Sequence, residues 1–326
     1  MLAGSRLVVV TADDDALVLR PPPPAAAVAD VGAAVRDALR FPLAGEPLEA
    51  LVARGARATI LVEPPQLPLP GTERDPRQAA IAAAVAELER LGIPSGYQTL
   101  LVAGGLARRA GHEQLETLVS AEFARRFHGH VEVHDVERDD LVEIGAGGAM
   151  PLRVHPALVR TDVVVAVTAA ETVLHGGPAA LVGASSPDVI RAAGAYSLLE
   201  TSASQGWRLG LELERALVRR VPVLGVSLVL NHPRLGGTFP DYPYDEDALE
   251  RVVRSPLRHL FRVSLDRRLR KLLKSFGNKP LIEVVARPDW KPFYVLKAVR
   301  VDCRIFYVEQ KCIRLFVMND FLLGSK

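Results

Sequence analysis

Continuous apolar runs alternate with helix-period segments along most of the chain. Residues 7–10 form a short β-rich segment, cut off by Asp13, Asp14 and Asp15 and then by the prolines at 21–24, which neither a helix nor a central strand can continue through. Residues 25–39 predict a first helix, closed by Pro42 and Pro47. ATILVEP at 58–64 predicts a strand whose proline-rich exit, QLPLP, makes a restricted loop. Ile81, Val85, Leu88 and Leu91 recur at helical spacing within 76–91, and Gly92 and Pro94 stop that helix. TLLVAGG at 99–105 predicts a buried strand ending in paired glycines, followed by a helix over 113–127. HVEVHD at 130–135 alternates as a strand does, and PLRVH predicts a short strand or hairpin component. TDVVVAVTA at 161–169 has the β-branched continuity of a strand covered on both faces, and LGVSLVLN at 224–231 repeats it after a helix over 209–220.

Strands alternating with helices of three to four turns predict an α/β fold with a mostly parallel sheet flanked by helices. Val62, Val102, Val165 and Leu228 are expected in that one sheet. The pattern changes after residues 240–244. Leu249, Val252, Val253, Leu257, Leu260, Leu265, Leu269, Leu272, Leu273 and Phe276 among nine arginines or lysines over 247–276, interrupted by Pro256, predict a broken basic amphipathic helix. LIEVVA, CRIFYV and CIRLFVM then return to β-like character. The expected organisation is a main domain over 1–245 and a basic helical and β-rich segment over 246–326, a small or truncated second domain.

Composition fits two domains: 326 residues, 49% of them hydrophobic, can bury a sizeable core. The formal net charge of +2 conceals an asymmetry. Residues 251–326 hold 18 basic and 6 acidic groups, leaving 22 basic and 32 acidic in residues 1–250. Basic C-terminal helices lack RNP-like aromatics, helix-turn-helix spacing and zinc-finger cysteines, so no nucleic-acid partner is expected, and docking onto the acidic remainder uses charges already in the chain. Cys303 and Cys312 show neither a disulfide framework nor zinc spacing. With no signal-like start and no run of about 18 apolar residues, a cytoplasmic protein without a membrane partner is expected.

The strand exits carry the candidate chemistry, because ligands of such folds bind outside the carboxyl ends of the strands. Gly104 and Gly105 end one strand ahead of Arg108 and Arg109. They admit two readings: a tight structural turn, or backbone N–H groups cradling an anionic small molecule with Arg108 adding charged hydrogen bonds. Neither the dinucleotide nor the phosphate-loop glycine spacing is present. After the 161–169 strand, Glu171 and His175 are spaced for one helical face and a proton relay, and Gly176, Gly177 and Pro178 argue equally for a cap or turn. His130 and His134 lie over about 12 Å apart if extended, too far to share a metal. His155 and His232 each precede a proline near a strand exit.

The ordered segments ATILVEPPQLPLP, LLVAGGLARR with HEQLE, VHDVERDDLVEIG, PLRVHPALVRTDVVVAV, the Gly176–Gly177 turn, DVIRAAGAYSLLE and RLGLELERALVRRVPVLGVSLVLN resemble the lactate racemase family that uses a nickel-pincer nucleotide. The resemblance runs from about Ala56 to Gly236. It implies an α/β N-terminal domain beside a second domain, and interconversion of 2-hydroxy-acid stereoisomers by hydride transfer to and from the cofactor, with histidines moving the hydroxyl proton. It implies cofactor contacts at Gly104, Gly105, Arg108, Gly176 and Gly177. The expected functional groups are replaced, however. Leu67 stands where the substrate arginine is expected, Ala107 replaces a proton-transfer histidine, Ala179 the cofactor lysine, and Tyr196 aligns with the nickel-binding histidine. About four residues are missing between Glu171 and Gly176, where the second proton-transfer histidine belongs. The resemblance therefore leaves open an isomerase with an altered site, with Glu171 and His175 as its catalytic candidates, or a noncatalytic binder of an anionic small molecule.

Overall fold

The computed structural model describes residues 2–3, 6–7, 27–64, 75–105, 115, 118–169, 177–194, 205–230, 234–235, 250, 254, 261–264, 282–287 and 292–300. Among them the strands, in chain order, are β1 (Leu2–Ala3), β2 (Arg6–Leu7), β3 (Ala58–Val62), β4 (Gln98–Val102), β5 (His130–Val133), β6 (Val142–Gly147) and β7 (Met150–Val154). There follow β8 (Val163–Ala169), β9 (Val223–Leu230), β10 (Arg234–Leu235), β11 (Phe261–Ser264), β12 (Ile282–Arg287) and β13 (Pro292–Arg300). The helices are α1 (Val31–Arg40), α2 (Leu48–Leu51), α3 (Pro76–Arg90), α4 (Ala121–Arg126), α5 (Gly177–Gly183), α6 (Pro187–Ala193) and α7 (Gln205–Val218).

Two compact units share the chain, and neither is one continuous span. The larger comprises residues 27–67, 74–230 and 292–326, the smaller residues 1–26, 68–73 and 231–291.

The larger unit is built on a six-stranded sheet of order β13-β9-β8-β3-β4-β5. The five strands from β9 to β5 run parallel, and β13 closes one edge antiparallel to β9. Val62, Val102, Val165 and Leu228 all lie in this sheet, as their apolar runs predict. Every residue of β3 and of β8 is buried, which is why those sequences read as continuous rather than alternating hydrophobic runs.

One face carries α1 and α3, packed through Val35, Leu39, Ile81 and Leu88 onto Ile60, Leu100, Val165 and Val226. The opposite face carries the β6–β7 hairpin and α5 to α7, packed through Leu152, Leu181, Val189, Leu213 and Leu217 onto Leu61, Leu101, Val164 and Val223. Local chemistry sets the helix ends. Asp30 accepts the Ala33 N–H at 2.9 Å to start α1, and Asp75 accepts the Arg77 N–H ahead of Pro76 to start α3. Arg40 of α1 donates twice to Glu87 of α3, at 2.7 and 2.8 Å, and Arg90 joins them. Burial pushes the Glu87 carboxyl up, but these charged bonds outweigh it and hold the group at about 2.

The smaller unit contains a sheet of order β1-β2-β11-β12-β10, in which only β11 and β12 run parallel. Here the helix expected over 247–276 meets a difference: residues 261–264 form β11, with Phe261 paired to Ile282 and Val263 to Val284. FRVS alternates apolar and polar, and its partner IEVV supplies the ladder that a helix would leave unused. LIEVVA forms β12 as predicted, whereas CRIFYV and CIRLFVM lie outside the described residues. Among the described residues no helix is long and apolar enough to cross a membrane.

Candidate functional site

From β3 the chain crosses to β4 and β5 on one side, while from β8 it proceeds to β9 on the other, so the carboxyl ends of β3 and β8 flank a topological switch point. Glu63 follows β3 there, 4% exposed, and its N–H donates to the Val167 carbonyl at 3.2 Å, continuing the β3–β8 ladder. Thr168 stands opposite Ser227 in the β8–β9 register. Alternation places Thr168 and Ser227 on the face of Ala166 and Leu61, and Glu63 continues that face beyond β3. A carboxylate and two hydroxyls thus form one polar row across the ends of three central strands. Thr168 Oγ1 and Ser227 Oγ are both buried, with no hydrogen-bond partner among the described residues.

The next strand exit holds the predicted glycine pair. Gly105 has φ +59°, a conformation suited to glycine, and its N–H donates to the Gly183 carbonyl at the end of α5 at 2.9 Å. The Gly104 N–H donates to Val102 at 3.0 Å. Both N–H groups are engaged by protein carbonyls, so an anion at this exit would be met by side chains. A Cβ on Gly183 would stand 3.1 Å from Ala103 Cβ and its carbonyl oxygen, which shows how closely α5 approaches the exit. Gly177 begins α5, and Ala179 lies within it. Arg108, Glu171, His175, Gly176, Leu67, Ala107 and Tyr196 lie outside the described residues.

Sequence reading missed Glu63, Thr168 and Ser227 as a group. A glutamate ending an apolar strand was the available signal; the meeting of Thr168 with Ser227 needs the strand order. It also missed the pairing of His134 with His155. Alternation in HVEVHD puts His130, Glu132 and His134 on one face, and β7 delivers His155 to it, with ring centroids 5.7 Å apart. His155 Nδ1 accepts the Ala157 N–H at 3.2 Å, so Nε2 bears the proton, 3.2 Å from Glu132 Oε2 but off the hydrogen-bond line. His134 Nε2 donates to the Ser185 carbonyl at 2.8 Å. Burial lowers both pKa values. For His155, burial followed by the nearby Arg138 charge takes it to about 3, so both rings are neutral at physiological pH. Among the described residues no group of three His, Cys, Asp or Glu side chains could hold a metal ion.

The strand order defines a doubly wound α/β domain with a polar switch point at the carboxyl edge of its sheet, the edge at which this fold class binds ligands. Residues 4–188 match the lactate racemase N-terminal domain, and the chain belongs to that family. Among solved structures it is similar to the lactate racemase apoprotein from Thermoanaerobacterium thermosaccharolyticum, with 16% identity and a TM-score of 0.49, covering 63% of this chain and 50% of that one. It is also similar to a structural-genomics target from Thermotoga maritima, with 14% identity and a TM-score of 0.43, covering 61% and 50%. The chain spans about half the length of these structures. None of the curated proteins matches it.

Proposed function

We propose that this chain is a divergent lactate-racemase-like protein whose switch-point crevice binds a small anionic molecule, 2-hydroxy acids being the class its family favours. The supporting observation is the row of Glu63, Thr168 and Ser227 at the strand ends. A buried hydroxyl without a partner costs about 1–3 kcal/mol, and two side by side at this edge suit a polar ligand or its bound water completing them. Arg108, three residues after Gly105 in the sequence, is proposed to supply the persistent positive charge. Glu171 and His175 follow β8 in the sequence, ahead of Gly176 and Gly177, and are proposed as further contacts.

The nickel-pincer nucleotide does not fit the residues present. Ala179 has no amine to tether it, and the polar side chains placed at this edge are a carboxylate and hydroxyls, not nitrogen ligands. No step is therefore derived through it. A second reading, 2-hydroxy-acid racemisation or epimerisation by an altered site, draws on Glu63, a carboxylate at the switch point able to accept a hydroxyl proton.

Ligand-observed NMR of the full chain with lactate, other 2-hydroxy acids and nucleotides tests the binding reading. Binding lost in R108A and kept in H175A is the expected result for anion capture. Binding that neither substitution alters, or none at millimolar ligand, rejects the site.

A further inference from the structure

At the opposite, amino-terminal ends of the same parallel strands lies a polar cavity of about 270 Å³, lined where β3, β4 and β5 begin and by the turn that follows β7. Its wall is rich in hydrogen-bond donors that the protein does not use. Arg57 and Arg160 are exposed and, among the described residues, neither guanidinium has a carboxylate partner. Tyr97, 55% exposed, brings a hydroxyl, Thr99 another and His130 a ring nitrogen donor, none with a hydrogen-bond partner among the described residues.

The remaining charges in the wall are already committed. Arg138 is held by Asp140 in a two-bond pair at 2.8 Å and by Glu132 at 3.6 Å. Glu132 in turn lies against Arg138 and the His155 ring, so the wall's carboxylate has cationic and N–H neighbours of its own. The Thr59 and Thr161 hydroxyls are also spent, donating to the Ala157 and Arg57 carbonyls. Among the described residues, what faces the cavity without a partner is two permanent cations, the Tyr97 and Thr99 hydroxyls and the His130 ring, while the carboxylate in the wall is already engaged.

We infer that this cavity is an anion site for a phosphomonoester, with Arg57 and Arg160 holding the phosphate oxygens and Tyr97, Thr99 and His130 completing its donors. A phosphate dianion offers three strong acceptor oxygens and close to two negative charges, matching this donor surplus better than a carboxylate with two oxygens and one charge. The flat guanidinium fork suits it further. Strand beginnings are not where this fold class places its main ligand, so the site is separate from the switch-point crevice and does not depend on it.

Titration of the full chain with phenyl phosphate, followed by 31P NMR and calorimetry, tests the inference. Saturable binding is expected, at least tenfold weaker in R57A/R160A and unchanged in R108A. Both arginines are exposed, so the double variant should keep the wild-type circular dichroism spectrum. Should it unfold, T99V serves instead, removing one donor with an expected severalfold loss. The inference is overturned by no binding at millimolar phenyl phosphate, by undiminished binding in the variants, or by acetate competing as well as the phosphomonoester does.

Discussion

Glu214 shows how far a single burial can move one ionisable group in this molecule. It lies on the stripe of α7 shared with Trp207 and Gly210 and is only 2% exposed, so losing the charge is cheaper than keeping it. Burial raises its carboxyl to about 8 against the opposing pull of Arg215. An unfolded chain releases this proton near pH 4.5, whereas the folded chain keeps it to about 8, so the stabilising contribution is full below pH 4.5 and is lost as pH rises towards 8. His155 works in the other direction. Its folded value of about 3 lies below the ordinary 6.5, so its contribution is present above pH 6.5 and is lost as pH falls towards 3. The accepted Ala157 N–H gives that loss a structural cause, because protonated Nδ1 cannot accept it. Together the two groups favour a stability maximum between about pH 4.5 and 6.5. Glu214→Gln keeps the shape of the neutral acid and removes the titration. Its unfolding free energy from urea titration should match wild type near pH 4.5 and exceed it increasingly up to pH 8, by on the order of a few kcal/mol. A difference independent of pH would show that Glu214 does not titrate in this window.

Among the elements, the approach to β5 is constrained most tightly by Gly129. A Cβ there would lie 2.4 Å from the Gln98 carbonyl oxygen, 2.5 Å from that of Ser95 and 2.4 Å from Phe127 Cζ. Two of these neighbours are backbone, so Gly129→Ala must displace β5 from the start of β4. Overpacking of that kind costs about 1–3 kcal/mol, and thermal melting should show a lowered midpoint; a variant melting with wild type would mean that the loop relaxes freely. The elements legible in the sequence were those whose signal is local. β3, β8 and β9 are runs of β-branched and apolar residues, and α3 carries its cap, its Pro76 and its terminating glycine within a few residues. α5 and α6, seven residues each with glycine or proline at the start, are too short to display a helical period. β11 and β13 become strands through distant partners, β12 and β9, and pairing over such separations leaves no mark in a local window. The site divides similarly. The Gly104–Gly105 turn was visible as punctuation, but the Thr168–Ser227 meeting and the arginines at the strand beginnings arise only when the sheet is assembled.

At the scale of the whole molecule, the family's scaffold is kept while the groups its chemistry is expected to need are replaced. The parallel sheet, its switch point and the close contact of α5 with the β4 exit depend on apolar runs and small residues, and those are present. Leu67, Ala107, Ala179 and Tyr196 stand where the family resemblance implies a carboxylate anchor, a proton mover, a cofactor tether and a nickel ligand. A fold is set by its packed apolar core rather than by the polar groups of a ligand site, so a chain can lose such groups and still fold. Catalysis does place one. Removing a single donor aimed at transition-state charge costs about 2–4 kcal/mol, or roughly a hundredfold to a thousandfold in rate, and groups acting as a unit fail together rather than additively. At the position where the resemblance implies the tether, Ala179 offers no nucleophile for a covalent link. The purified chain supplied with the nickel-pincer nucleotide should therefore keep none of it through denaturing mass spectrometry, and it should leave L-lactate unconverted in a chiral assay over hours. Equilibration of D- and L-lactate above a nickel-only control would show that other side chains have taken over these roles, and would favour the altered isomerase over the binding protein.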